Sequence, residues 1–119
     1  MSSKAYCAHV IMYVRFKDGN QNCYPIWENI YLVLADSFDE AEILAKKMGE
    51  DASGDSNGTF YWSNREAEWV FGGVRKIISC ANSDLVSGIE LTYSEYEITT
   101  EDQLKKLVAG KEVDVKYVE

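Results

Sequence analysis

The stretch Glu68–Ile78, Glu-Trp-Val-Phe-Gly-Gly-Val-Arg-Lys-Ile-Ile, limits the possible folds of this chain more than any other. In an extended backbone Trp69, Phe71, Gly73 and Ile77 fall on one side, with Val70, Gly72, Val74 and Ile78 on the other. Both sides are apolar, which predicts an interior strand covered on both faces. Glycines inside a strand mark a bulge, a bend or a close backbone approach, so the Gly72-Gly73 pair is expected to interrupt the ladder.

The flanking segments supply partners for such a strand. Tyr6 to Phe16 alternates strictly: Tyr6, Ala8, Val10, Met12, Val14 and Phe16 make an apolar face, and Cys7, His9, Ile11, Tyr13 and Arg15 a mixed one. Lys17-Asp18-Gly19-Asn20 predicts a hairpin turn, and Cys23 to Leu34 returns as a second strand with Pro25 at a sheet edge or bulge. A turn centred on Asp18-Gly19 sets His9 opposite Glu28, Cys7 opposite Ile30 and Cys23 opposite Val14. Ser37 and Glu40 have capping-box spacing ahead of a helix with Ala41, Leu44, Ala45 and Met48 on one face and Gly49 placed to stop it. A polar loop over Glu50–Gly58 and a short aromatic strand over Thr59–Asn64 lead into the central strand. Ser79–Gly88 reads as a loop and Ile89–Thr99 as a strand with a bulge near Ser94-Glu95. Thr100 and Gln103 cap a second helix to Val108, ended by Gly110, and Val113, Val115 and Tyr117 alternate in a last strand. The order β-β-α-β-β-β-α-β, with hairpin connections and only two helices, predicts one α+β domain over 1–119: a mainly antiparallel, coiled sheet with both helices on one side.

Trp27-Glu28-Asn29-Ile30-Tyr31-Leu32-Val33-Leu34-Ala35, Ser37-Phe38-Asp39-Glu40-Ala41, Trp69-Val70-Phe71-Gly72-Gly73-Val74 and Tyr93-Ser94-Glu95-Tyr96-Glu97 together resemble a family of small uncharacterised bacterial domains classed as a domain of unknown function. These are structural residues, and the resemblance implies no activity. Small acidic proteins of this build recur as immunity proteins beside bacterial toxins, and the likeness adds that analogy.

Charge narrows the function classes. Twenty acidic against twelve basic residues give a net charge of −8, which argues against direct nucleic-acid binding, because phosphate contacts need a basic surface. The same charge suits docking on a basic protein, though solubility alone also accounts for it. No apolar run approaches the roughly 20 residues of a membrane helix, and the first residues lack the pattern of a signal peptide. Cys7, Cys23 and Cys80 cannot all pair within one chain and have no zinc-site spacing. Free thiols in a reducing cytoplasm are expected.

Catalysis and metal binding find little support. The sole histidine, His9, paired with Glu28 reads as a cross-strand structural contact, and Cys7 on the same face leaves a Cys/His couple open. Ser53–Gly58 has oxygen ligands at alternate positions, but Ser53 and Asn64 stand where a calcium loop needs carboxylates. Phe71-Gly72-Gly73-Val74 lacks the lysine and following helix of a phosphate loop. No catalytic residue, metal or cofactor is expected. Tyr61, Trp62 and Trp69 are candidates for either core or interface anchors.

The composite expectation is a non-enzymatic, acidic, cytoplasmic protein-binding domain, an inhibitor or immunity protein that blocks a basic toxin or nuclease. Its candidate contacts are Glu66 and Glu68 beside Trp62, and Glu90, Glu95 and Glu97 along the fifth strand. The alternative is a small-ligand or regulatory domain whose glycine pair shapes a pocket against the aromatics, and an enzyme built on His9 is a third.

Overall fold

The structure is a computed structural model that describes residues 4–80, 87–88 and 90–118. Its elements follow the expected order: β1 (Lys4–Phe16), β2 (Ile26–Ala35), α1 (Phe38–Asp51), β3 (Tyr61–Trp62), β4 (Arg65–Ser79), β5 (Glu95–Glu97), α2 (Glu101–Val108) and β6 (Lys116–Val118). Strands β2-β1-β4-β3 form an antiparallel four-stranded sheet, and β5 and β6 pair in a separate two-stranded one. The chain is an α+β protein with a mainly antiparallel main sheet.

β1 and β4 are both interior, and β1 is the more deeply covered. Tyr6, Ala8, Val10, Met12, Val14 and Phe16 are all buried on one face of β1. α1 lies on that face through Ala41, Ala45 and Gly49, with Leu44 and Met48 packed at the margin. Ser37 caps α1 as its spacing predicts, its hydroxyl accepting from the Glu40 amide. Small residues along the buried stripe bring the helix close to the sheet.

Gly49 does not stop the helix. α1 runs two residues further, to Asp51, and Gly49 is where it comes closest to β4. A Cβ at this position would overlap the Phe71 ring and stand 3.0 Å from the Val10 side chain. Gly49→Ala is therefore expected to destabilise the fold by about 1–3 kcal/mol through overpacking. That outweighs the roughly 0.5–1 kcal/mol that alanine gains over glycine within a helix. A rise in the denaturation midpoint of this variant would contradict the close contact.

The glycine pair does break the ladder, and a second irregularity follows it. Met12 pairs with Phe71 but Ile11 with Gly73, so Gly72 is the extra residue of one bulge, and His9 pairs with Lys76 but Val10 with Val74, so Arg75 is the extra residue of a second. Each extra residue reverses the side-chain phase, so Val74 joins Trp69, Phe71 and Ile77 against the core under α1. Strict alternation would put Val74 on the opposite face. Gly73, at φ +145°, occupies backbone space that other residues rarely enter.

The first hairpin also departs from the simple turn. Residues 17–25 form a longer connection whose side of the loop is stitched by Gln21: its Oε1 accepts from the Phe16 amide, and its Nε2 donates to the Val14 and Cys23 carbonyls. The extra length moves the register by two. His9 faces Ile30, Ile11 faces Glu28 and Cys7 faces Leu32.

The C-terminal part differs most from expectation. Of the strand expected over Ile89–Thr99 only Glu95–Glu97 is extended and paired, and Ile89 lies outside the described residues. The loop expected over Ser79–Gly88 begins one residue later, because Ser79 closes β4, and its residues 81–86 are outside the description. α2 has the predicted Thr100 cap, with the hydroxyl accepting from the Gln103 amide, but no buried residue, and Val108 is 80% exposed. It is not packed on the main sheet beside α1. An amphipathic pattern specifies a stripe, not what covers it.

Candidate functional site

The register of β2 and β4 brings two distant tryptophans together. Trp27 lies opposite Met12 and Trp69 opposite Val14, so both project onto the α1 side of the sheet, one on each flank of β1. Their ring centroids are 4.7 Å apart with planes tilted by 43°. Trp62 from β3 meets both edge-on, at 6.4 Å from Trp27 and 5.8 Å from Trp69, and Phe60 lies 5.6 Å from Trp69. The loop after α1 holds Trp69 in place: Gly54 and Trp69 exchange backbone hydrogen bonds of 2.9 and 2.8 Å.

Between this cluster and the end of α1 opens a cleft of about 200 Å³, lined by Met12, Trp27, Asn29, Ala52 and Trp69. Trp27 keeps 53% of its surface exposed there. The last turn of α1 contains no basic residue, and the exposed Glu50 and Asp51 immediately precede Ala52. The last carbonyls are capped, those of Met48 and Gly49 by the Ala52 amide and that of Glu50 by the Ser53 amide, so the negative potential at the end of α1 that meets the cleft comes from the exposed carboxylates and the helix dipole. Aromatic faces, which are electron-rich, line the interior.

The residues expected to carry binding do not gather at one place. Along β4 Glu66 and Glu68 alternate with Ala67 and Trp69, and so lie on the sheet face opposite Trp62 and the cleft. Glu68 accepts from Arg15 Nε and Nη2 at 2.8 and 2.6 Å, and the carboxylate pushes the guanidinium pKa up. Its charge is already matched within the chain. Glu66 is exposed opposite Tyr61. Nearby, Arg65 pairs with Asp18 and Lys17 with Asp55, and each cation holds its carboxyl below the ordinary range. Glu90, Glu95 and Glu97 are exposed, the last two on β5, where Glu97 faces Lys116. Trp62 is partly buried within the aromatic cluster.

On the opposite face of β1 a polar network is buried. His9 has no exposed surface; its Nδ1 lies 2.7 Å from Glu28 Oε2 and its Nε2 lies 3.1 Å from the Thr92 hydroxyl. The His9–Glu28 pair expected from the sequence exists, but as a diagonal contact rather than a direct cross-strand one. Both ring nitrogens are thus engaged, one by the carboxylate and the other by the hydroxyl. Carboxylate, imidazole and hydroxyl stand in the order of a hydrolase triad, but the enclosed ring holds the chain segment around Thr92 against the sheet. His9→Ala should cost about 1–3 kcal/mol by leaving Glu28 and Thr92 without their partner. Chemical denaturation measures this, and an unchanged midpoint would contradict it.

Beside this network Cys7 and Cys80 approach to 3.3 Å between sulfurs, and the Cys7 thiol donates to the Leu91 carbonyl at 2.8 Å. Burial, and then the neighbouring Cys80, push the Cys7 thiol up to about 11. All three cysteines are free. Among the described residues no group of three or more His, Cys, Asp or Glu is placed to hold a metal ion, and no helix is long and apolar enough to cross a membrane.

Trp27, Met12 and Asn29 escaped the sequence reading because the pairing across β1 is what joins them. One signal was available: Trp27, Asn29, Tyr31 and Val33 share the phase of the buried side of β2. The family described as a domain of unknown function (DUF4288) matches residues 5–94, which takes in the main sheet, α1, the cleft and the His9 network, and ends just before β5. No curated protein and no solved structure matches the chain.

Proposed function

We propose, from the premise that this chain belongs to the DUF4288 family, that it is a non-enzymatic protein-binding domain that docks on and inhibits a basic partner. The observation that carries this reading is the cleft formed by Trp27 and Trp69 at the acidic end of α1. Its electron-rich walls and negative rim suit the cationic side chain of an arginine or lysine, which gains both cation–π and charge contacts there. Inhibition by such a domain requires only a complementary surface, and a toxin or nuclease with a basic active face is the partner class this chemistry fits.

The volume of this cleft favours an inserted side chain over a small ligand at this place. Pockets for small ligands enclose about 300–1,000 Å³. The cleft holds about 200 Å³, enough for one inserted side chain. The net charge of −8 then acts at longer range, steering a basic partner toward the surface. Glu66 and the carboxylates of β5 contribute to that field without lining the cleft.

The test is a paired capture from the native host at low salt, with the wild-type chain and Trp27→Ala as baits. A basic protein retained by the first and lost from the second supports the reading. Retention of the same proteins by both baits removes the cleft from the interface. His9→Ala, once shown to be folded, should capture the partner as the wild type does; loss of capture with the fold intact would favour a role for the His9 network instead.

A further inference from the structure

We propose that Cys80 and Cys7 form a redox modification site, in which hydrogen peroxide oxidises Cys80 and Cys7 resolves it as an intrachain disulfide. Cys7 lies on β1 opposite Ile78, and Cys80 lies diagonally from it just past the end of β4, its amide donating to the Ala5 carbonyl at 2.9 Å. Both side chains therefore leave the sheet on the same face. Their sulfurs, 3.3 Å apart, need to close by about 1.3 Å to reach the roughly 2.05 Å of a disulfide.

Exposure assigns the two roles. Cys80 is half-buried and reachable from solvent, whereas Cys7 is 2% exposed and lies beneath the Leu91 carbonyl. Burial keeps peroxide from Cys7, whose sulfur instead lies beside that of Cys80, and this makes Cys80 the primary target and Cys7 the resolving thiol. In the first step the Cys80 sulfur, as thiolate, attacks one peroxide oxygen. The O–O bond breaks, water leaves once the departing oxygen is protonated, and Cys80 becomes a sulfenic acid. In the second, the Cys7 sulfur attacks the Cys80 sulfur. The S–S bond forms as the S–O bond breaks, and the departing hydroxide takes the Cys7 proton as water. Two thiols are oxidised and one peroxide is reduced to two waters.

The reaction alters more than the sulfurs. The proton lost from Cys7 is the one it donates to Leu91, and Cys80, whose sulfur is 3.6 Å from the same carbonyl, loses its own as well. Oxidation thus removes the thiol anchors of the segment at Leu91, while the His9–Thr92 and Lys76–Tyr93 contacts among the described residues persist. That segment leads directly into β5 and α2, the part of the chain outside the family match. The site consequently couples oxidant to the attachment of the C-terminal unit.

Exposed Cys23, on the far loop, is an internal control. The reduced protein is treated with hydrogen peroxide, alkylated under denaturing conditions and digested without reductant. Alkylatable thiols should fall from three to one, with the peptides of Cys7 and Cys80 joined and Cys23 still alkylated. In Cys7→Ser a dimedone adduct should accumulate on Cys80; in Cys80→Ser none should form on Cys7. Hydrogen exchange over residues 90–93 should rise on oxidation of the wild type. Peroxide oxidation of Cys23 while Cys7 and Cys80 stay reduced would overturn the proposal, and the wild-type map decides this whether or not either variant folds. Dimedone labelling of Cys7 would overturn the assignment of roles, and unchanged exchange at 90–93 would overturn the coupling.

Discussion

Trp69→Ala is expected to remove about 3–5 kcal/mol of folding stability, the range for truncating a large aromatic in a packed core. Trp69 is the side chain that packs against both buried clusters, the one around Val10 and Met12 under α1 and the one formed by Val14, Phe16 and Ala67. Its ring also contacts Trp27, Trp62 and Phe60. Removing it leaves a void where these meet, and the backbone bridge to Gly54 prevents the strand from collapsing into it. Against a total stability of about 5–15 kcal/mol for a domain of this size, such a loss is a large fraction. Denaturant unfolding followed by circular dichroism reads it without relying on tryptophan emission. A loss below about 1 kcal/mol would show that the two clusters do not depend on this ring.

Trp27→Ala should do the reverse, with a small effect on stability and a large one on binding. Half of the ring already faces water, so its truncation exposes little core. As the anchor of the proposed interface it falls in the class of contacts worth about 2–4 kcal/mol. At 1.4 kcal/mol per tenfold this weakens the partner complex about 30- to 700-fold. The loss should appear mainly as faster dissociation. Charge reversal at Glu50 and Asp51 should instead slow association, as should higher salt, because screening shortens from about 10 Å at 0.1 M to about 3 Å at 1 M. Glu68→Lys should change association less than either, since Glu68 lies on the sheet face away from the cleft. Equal effects of Glu68 and Asp51 reversal would move the interface to the other face of the sheet.

Local rules account for what was legible in the sequence. The alternation of Tyr6–Phe16, the serine and threonine caps and the glycine-pair interruption each depend on neighbours a few residues apart, and each recurs in the structure. The departures come from contacts distant in the chain. Nothing adjacent to Arg75 announces a bulge, yet without it Ile77 would leave the core face that Ala8 and Val74 occupy. The hairpin register depends on Gln21, whose side chain closes a longer loop than Asp18-Gly19 alone requires. Gly49 reads as a helix stop because the Phe71 ring that makes it necessary is supplied by β4. The cleft was illegible for the same reason, since Trp27 and Trp69 meet only when both strands are laid against β1. Acidic residues can be counted from the sequence, but their faces and partners cannot: nothing local to Glu66 and Glu68 shows that Trp62 lies on the other side of the sheet.

The most direct test of a basic side chain entering the cleft is cross-linking from inside it. Asn29, which lines the cleft without contributing a ring, is replaced by the photoreactive amino acid benzoylphenylalanine, and the chain is irradiated in the native host extract. The same probe at Ile43, exposed on α1, serves as the control. The account predicts one basic protein joined at position 29 and absent at 43, the cross-link mapping to a segment that contains arginine or lysine, and its yield falling as salt rises from 0.1 to 1 M. An acidic or uncharged partner at position 29, or a cross-link insensitive to salt, would contradict it.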